Sequence, residues 1–418
     1  MTTVGRHFII IAVFLTAVLS GAEPMSPQGA DNPNAKDANV SRHLKEIDRI
    51  NLGSFYTPSK YVKLSGVWLQ SQGIDKNWTI ADLACGYGAF FALMEVPSLS
   101  KCRFMGNDID PHAISIGRTL FSNVTWSVTN TLTNITREKF NLQKTEPLIL
   151  VGNPPYNDVT SQTGKQIKQR NFEVDADVKS RDLGISFLLT YNKLKADYVI
   201  VLHPLSYLIK KANYRAATPF FSNYQLINHI VFPSSEFAGT SKASVFPVIV
   251  AFYKRSEGHG ITMNDVRSFT FKTVDGNQFA VENFDYMTDI IAKYPHKKRY
   301  SPEILFYTLR DINALKRSRT FLPSRIDNAV DIDPNLLAYY CYIDCFKRYA
   351  EVPYYLGNFD IPYDKENFNA VSNQLLSVAK YHHPEIFGKV TPPQEEAIKS
   401  VKEYIHRSLN PKKKATQE

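Results

Sequence analysis

"WTIADLACGYG", residues 78–88, runs an apolar strand straight into a glycine-rich turn. Gly86 and Gly88 permit a tight turn and a close approach of ligand to backbone. In an open parallel sheet, ligands sit beyond the carboxyl ends of the strands, where such a turn lies. The turn lacks the third glycine of G-x-G-x-x-G and the Lys-Ser/Thr of a P-loop. A nucleoside without phosphates suits it better than a dinucleotide.

The neighbouring segments extend this unit. "CRFMGNDID" (102–110) is a second strand, and Asp108 at its end stands about 20 residues beyond Gly88, where an acid accepts ribose hydroxyls. "PHAISIGRTLF" (111–121) is a helix with Pro111 in its first turn. "VTWSV", "PLILVG" and "DYVIVLHP" read as strands, with a helix over 183–195 before the last of them. A helix over 59–71 is predicted with Ser59 as its cap. "YQLINHIVF" (224–232) and "SVFPVIVAFY" (244–253) add two strands with no clear helix between them, an antiparallel addition at one edge. Near-continuous apolar strands alternating with helices predict an α/β fold, with a buried, mostly parallel sheet covered on both faces.

The length of 418 residues leaves room for two domains. Lys and Arg outnumber Asp and Glu 49 to 40, a net charge of +9 that fits a polyanion partner without requiring one. Four cysteines, Cys85, Cys102, Cys341 and Cys345, are too few for a disulfide framework. No second Cys or His pair accompanies Cys341 and Cys345 at a zinc-ligand spacing, so all four read as thiols, no metal is expected, and a reducing compartment is implied. Against this, Arg6 and His7 precede "FIIIAVFLTAVLSGA", the pattern of a secretory signal and short for a membrane span. Beyond Ser256 the strand signals weaken and basic clusters appear, "HKKRY" (296–300) and "LKRSR" (315–319). "SPEILFYTLRDINALKRS" (301–318) opens like a helix, and the C-terminal part reads as mainly helical.

"LVGNPPYNDVT" (150–160) ends the fourth strand abruptly. Its prolines remove two donors and fix φ, so Asn153 and Tyr156 are held on a stiff, outward-pointing segment. "FYTP" (55–58), "DLACGYG" (82–88), "GNDIDP" (106–111) and "GNPPY" (152–156), in that order, resemble S-adenosylmethionine-dependent N6-adenine DNA methyltransferases of the class with cofactor motifs first and target recognition last. The resemblance extends loosely to Arg255. "NPPY" is shared with RNA and glutamine methyltransferases, and "FYTP" narrows the match to DNA adenine.

The resemblance implies a Rossmann-like methyltransferase fold with a mostly parallel seven-stranded sheet, plus a mainly helical C-terminal target-recognition region. The expected divisions are a leader or mis-assigned start (1–24), a flexible segment (25–50), the catalytic domain (51–255), the target-recognition region (256–408) and a disordered tail (409–418). Since S-adenosylmethionine and chromosomal DNA are intracellular, Met25 is the expected initiator and the cytoplasm the expected location, with a cleaved leader as second reading. By position, Tyr56, Thr57 and Pro58 close over the methionine end of the cofactor, and Asp82, Ala84, Cys85, Gly86 and Gly88 line it. Asp108 binds the ribose, Ile109 lies against the adenine, and Asn130 stands where the family places an Asp that binds the adenine amino group. Asn153, Pro154, Pro155 and Tyr156 form the catalytic tetrapeptide. Tyr156 and Phe237 are the expected stacking residues for a flipped base, with Phe246 as runner-up. His203 is expected to pack at a strand end rather than act as a base.

Lys297, Lys298, Arg299, Lys316, Arg317 and Arg319 are candidate phosphate contacts on double-stranded DNA. The basic segment 157–181 is expected to be a mobile loop that orders on DNA. The implied partners are duplex DNA and a cognate restriction endonuclease, with no stable membrane partner. An RNA or protein-glutamine methyltransferase, and a non-catalytic DNA-binding protein on the same scaffold, are the competing readings.

Overall fold

Seven apolar segments hydrogen-bond into one sheet: β1 (Thr79–Asp82), β2 (Arg103–Asp108), β3 (Val124–Val128), β4 (Leu148–Gly152), β5 (Tyr198–Pro204), β6 (Tyr224–Pro233) and β7 (Pro247–Arg255). The computed structural model describes residues 57–156, 173–237 and 245–411. The leader, Tyr56, most of the basic segment 157–181 and the last seven residues lie outside them.

The strand order is β3-β2-β1-β4-β5-β7-β6. Strands β1 to β5 pair in parallel, and only β7 runs against its neighbours β5 and β6. This is the Rossmann-like methyltransferase sheet expected, with its antiparallel addition at the β6 edge. The continuous apolar runs have a plain cause. Leu148, Leu150, Val199 and Val201 enter one apolar cluster, while Ile149, Val151, Ile200 and Leu202 enter the cluster on the opposite face. A strand buried on both faces cannot alternate with polar residues. Each such side chain contributes about 1.5–3 kcal/mol by burial.

The order reverses between β1 and β4, and there the carboxyl ends of adjacent strands open a crevice. Asp82 pairs in register with Val151 and Gly106, so the glycine turn, the end of β2 and the tetrapeptide after β4 leave the sheet side by side.

Helix α1 (Ser59–Gln70) precedes β1; Pro58 rather than Ser59 holds its cap position, and no side chain caps it. Helix α2 (Pro111–Leu120) starts at Pro111, with Asp110 accepting from the His112 N–H. Helix α3 (Leu183–Lys193) is capped by Asp182, which accepts from the Gly184 N–H. The glycine turn leads into a 3-10 helix, Ala89–Glu95.

The C-terminal helices are α4 (Leu337–Tyr349), α5 (Phe368–His382) and α6 (Glu395–Leu409). The stretch 301–318 departs from expectation. Leu305–Tyr307 is a strand between Phe321–Leu322 and Ala329–Asp331, and only Ile312–Leu315 is helical. The branched and aromatic run from Ile304 to Thr308 fits a pleated surface, which outweighs the helix-like start. The four cysteines are buried, unbridged thiols. No helix among the described residues is long and apolar enough to cross a membrane.

Candidate active site

The glycine turn takes its shape from two left-handed residues, Gly86 at φ +50° and Gly88 at φ +90°. A Cβ on Gly88 would stand 2.6 Å from Phe91 and 3.0 Å from Trp126, whereas nothing lies within 4 Å of that position on Gly86. The backbone at Gly86 is therefore open to a ligand. Asp108 turns back onto this loop: Oδ2 accepts from the Gly86 N–H at 2.8 Å and Oδ1 from the Asp110 N–H at 2.9 Å. Each oxygen keeps a lone pair for a hydroxyl. Burial raises the pKa of Asp108 against those two bonds.

Ile109 and Val128 stand at the ends of adjoining strands with 46% and 44% of their surface exposed, apolar side chains facing open space. Val128 was missed by sequence reading, since a valine closing a strand carries no signal of its own. Asn107, also missed, is buried and ties β2 to the chain leaving β3. Its amide donates to the Thr129 carbonyl and Thr131 Oγ1, and its carbonyl accepts from Ser127 Oγ and the Thr129 N–H. A polar Asn inside an apolar strand was the available clue.

The Asn130 amide is engaged at both ends. Its Nδ2 donates to the Glu173 carbonyl at 2.8 Å, and its Oδ1 accepts from the Leu132 N–H at 3.0 Å. The Leu132 bond is the common local one of an Asn two residues before an N–H, the Glu173 bond reaches a distant segment, and Oδ1 keeps a second lone pair.

Asp82 is 2% exposed, and its Oδ1 accepts from the Ala84 N–H at 3.0 Å. Burial pushes its pKa up to about 8; the Ala84 bond opposes this and the charge of Asp108 adds to it. Burial, with the charges of Asp82 and Asp108, raises the neighbouring Cys85 thiol. Thr57 is buried and Pro58 and Ala84 are half-buried.

Beyond β4, Pro154 is buried and Asn153, Pro155 and Tyr156 are half-buried. The Tyr156 ring lies 6.5 Å from those of both Phe237 and Phe246. Phe237 is only 2% exposed and packs edge-on against Phe232, so it backs Tyr156 from the core. Phe246 is half-buried and is the more accessible of the two. A Cβ on Gly184, in α3, would stand 3.0 Å from Tyr156 Cβ, so this small residue lets the helix start pack against the tetrapeptide. His203 is buried, with Nε2 2.9 Å from Tyr253 Oη and Nδ1 2.9 Å from the Pro204 carbonyl. Burial lowers its pKa to about 4, as befits a neutral packing residue.

Of the basic candidates, Lys297, Lys316, Arg317 and Arg319 are exposed. Lys298 lies over the Tyr300 ring, 4.0 Å from Asp333. Arg299 pairs at 3.1 Å with the buried Asp331, which Arg325 also holds, so its role is at least partly internal. No group of three metal-ligating side chains occurs among the described residues.

The crevice fits a nucleoside with a cationic tail. Asp108 offers acceptors for hydroxyls, Ile109 and Val128 apolar surface for a base, the Gly86 backbone a close approach, and Asp82 a buried carboxyl for a cation.

Residues 43–313 match the family model described as N-6 DNA methylase. No curated protein matches the chain. Among solved structures, it is similar to a modification subunit assigned to a type I restriction enzyme of Vibrio vulnificus, at 15% identity and TM-score 0.38, over 55% of this chain and 51% of that one. A type I restriction-modification methyltransferase subunit from Streptococcus thermophilus gives 16%, 0.38, 55% and 48%. A TehB-like S-adenosylmethionine-dependent methyltransferase from Corynebacterium glutamicum gives 15%, 0.30, 54% and 100%. The chain thus spans about half the length of the two restriction-modification subunits.

Proposed function

The chain belongs to the N-6 DNA methylase family, whose methyl donor is S-adenosylmethionine, and on that premise we propose that it methylates N6 of an adenine flipped out of duplex DNA at a specific site. The observation that carries the reading is the emergence of Gly152-Asn153-Pro154-Pro155-Tyr156 from β4 beside Asp82 and the glycine turn, at the point where the strand order reverses.

The bound cofactor supplies an electrophilic sulfonium methyl group. The chain's residues deal with the other partner. The exocyclic amine of adenine is a poor nucleophile because its lone pair is delocalised into the ring. Two acceptors aimed at its N–H bonds favour a pyramidal nitrogen with a free lone pair. The Asn153 side-chain carbonyl and the Pro154 backbone carbonyl are those acceptors, and the two prolines keep them preorganised. Holding both substrates in contact lowers the barrier further. No strong base is required, because the product ammonium is acidic.

Extruding the base costs a few kcal/mol. Stacking on Tyr156 and Phe246, at about 1–3 kcal/mol per aromatic contact, offsets it, with Phe237 as the wall behind Tyr156. In the cofactor site, Thr57 and Pro58 close over the methionine end, Asp82 takes the ammonium, Asp108 the ribose, and Ile109 and Val128 the adenine. Residues 256–408 recognise the target, with Lys297, Lys316, Arg317 and Arg319 the better phosphate contacts and Lys298 and Arg299 the weaker. The biological setting is protection of DNA from a cognate endonuclease.

The test is transfer of a labelled methyl group to duplex DNA, with RNA and protein as alternative acceptors. Label is expected on adenine N6 in DNA. The Asn153→Ala variant should lose about 100-fold or more in rate, the scale of losing one preorganised group, with DNA binding kept. Label in RNA or protein but none in DNA would reject the proposal.

A further inference from the structure

Two buried polar groups flank Gly152, the residue just before the catalytic tetrapeptide. A Cβ there would stand 3.1 Å from Asp82 Oδ1 and 3.3 Å from Tyr191 Oη. Only glycine leaves the space between the two open. Tyr191 lies on α3, is 0% exposed, and packs its ring against Phe187. Its hydroxyl has no hydrogen-bond partner among the described residues. Leaving a buried hydroxyl unpaired costs about 1–3 kcal/mol, and native proteins keep few such groups. In these apolar surroundings a phenylalanine would serve packing as well without that cost. The hydroxyl therefore calls for a partner that another state of the site supplies.

We propose that Tyr191 is a positioning residue for the cofactor: its O–H donates to the ionised Asp82 carboxylate and so stabilises the form that receives the ammonium of the methyl donor's amino-acid tail. The inference rests on the reading of Asp82 as the partner of that tail. The proton balance is simple. Before the ligand arrives, Asp82 is largely protonated at neutral pH, held so by burial. The ammonium stabilises the carboxylate, the displaced proton leaves to solvent, and no other bond is made or broken. The titratable groups facing Asp82 are Cys85 of the glycine turn, Asp108 at the end of β2 and Tyr191 of α3. Strand β4 presents none, since Leu148–Gly152 has no titratable side chain. Among the described residues the charge that acts on Asp82 is that of Asp108, which opposes ionisation. Donors must therefore stabilise the anion, and the Ala84 N–H is one. The Tyr191 O–H is the second.

Calorimetric binding of S-adenosylhomocysteine, over about pH 6–9, tests this on the full chain. 5′-Methylthioadenosine, which lacks the amino-acid tail, is the comparison ligand. In the wild type, S-adenosylhomocysteine should bind more tightly as pH rises towards about 8 and release a proton. The gain ends at higher pH, where the ligand's own ammonium deprotonates. Tyr191→Phe should weaken it about tenfold at neutral pH, the scale of a hydrogen bond to a charged group. The same variant should move the pH rise upwards and leave 5′-methylthioadenosine binding unchanged. In an Asp82→Asn background the rise should vanish and Tyr191→Phe should add nothing. The proposal is overturned if Tyr191→Phe keeps the wild-type affinity and pH profile. It is equally overturned if the variant weakens both ligands alike, the mark of a merely structural role. If neither ligand binds the wild type, the cofactor reading fails, and this inference with it.

Discussion

Asp82 is a carboxylic acid that the fold holds at its own expense. Its folded pKa of about 8 stands above the ordinary carboxylate value of 3.8, so the folded state favours the protonated form. Its contribution to stability is fully present below about pH 4 and is lost as pH rises through about 8. Asp82→Asn cannot ionise. Without cofactor, the variant should be more stable than the wild type at pH 8 by about a few kcal/mol, with the difference shrinking towards pH 5. Thermal melts at the two pH values check this; a difference independent of pH would sink it. The acid itself was legible in the sequence because its place before the glycines gave it a role. So was Asp108, from its distance beyond them. Asn107, Val128 and Tyr191 were not, because their meaning lies in what faces them across strands and helices. Nor were the bonds of the Asn130 amide to Leu132 and, far along the chain, to Glu173. The burial of Phe237 against Phe232 depends likewise on how the end of β6 folds back.

Elements buried on both faces were the easiest to read, since β1, β4 and β5 announce themselves as apolar runs. The short strands of 256–336 do not, because each depends on a distant partner; Leu305–Tyr307 is defined by Phe321–Leu322 and Ala329–Asp331. The C-terminal elements are joined by an ion cluster that no spacing foretold. Asp344 of α4 accepts from Thr320 Oγ1 at 2.6 Å, Arg348 Nε at 2.8 Å and His383 Nε2, just beyond α5, at 2.9 Å. Burial would raise the Asp344 carboxyl, but hydrogen bonds from His383, Arg348 and Thr320 outweigh it and hold the pKa at about 2. The stabilisation from Asp344 is thus present above about pH 4 and lost as pH falls through about 2. His383 is the opposite case. Burial lowers its pKa, the bond and charge of Asp344 prevail and raise it above 6.5, and its contribution fades as pH rises through that raised value. Asp344→Ala leaves Arg348 and His383 without their common acceptor and should destabilise the protein by about 3–5 kcal/mol at neutral pH. Urea denaturation reads this directly, and a loss within about 0.5 kcal/mol, as for an ordinary surface change, would show that the cluster does not hold these elements.

At the scale of the whole molecule, the change of sequence character after Arg255 suggests two domains, yet the apolar core does not divide there. One cluster contains Val199, Val201 and Tyr253 of the sheet together with Phe271, Phe279, Val330, Ile343 and Leu375 of the C-terminal region. Polar contacts cross the same boundary. Asn313 Nδ2 donates to the Val245 carbonyl at 2.9 Å, Tyr354 Oη to the Val231 carbonyl at 3.2 Å, and Lys210 pairs with Asp311. The sheet and its neighbour therefore cover each other's apolar surface, and the composition shift marks a change of secondary structure rather than an independent core. An independent domain would expose only a modest, fairly polar interface on separation. Here separation uncovers the β6 edge, where Val231 bridges Thr273 and His229 meets Phe271, and splits an apolar cluster shared by both parts. The full chain should consequently unfold in one cooperative transition, with calorimetric and van't Hoff enthalpies in agreement. A chain ended after Arg255 should aggregate or bind a hydrophobic dye rather than fold alone. Two resolved transitions in the full chain, or a soluble, cooperatively melting truncated form, would mean that the part up to Arg255 holds its own core, and that residues 256–408 are held to it only by their surface.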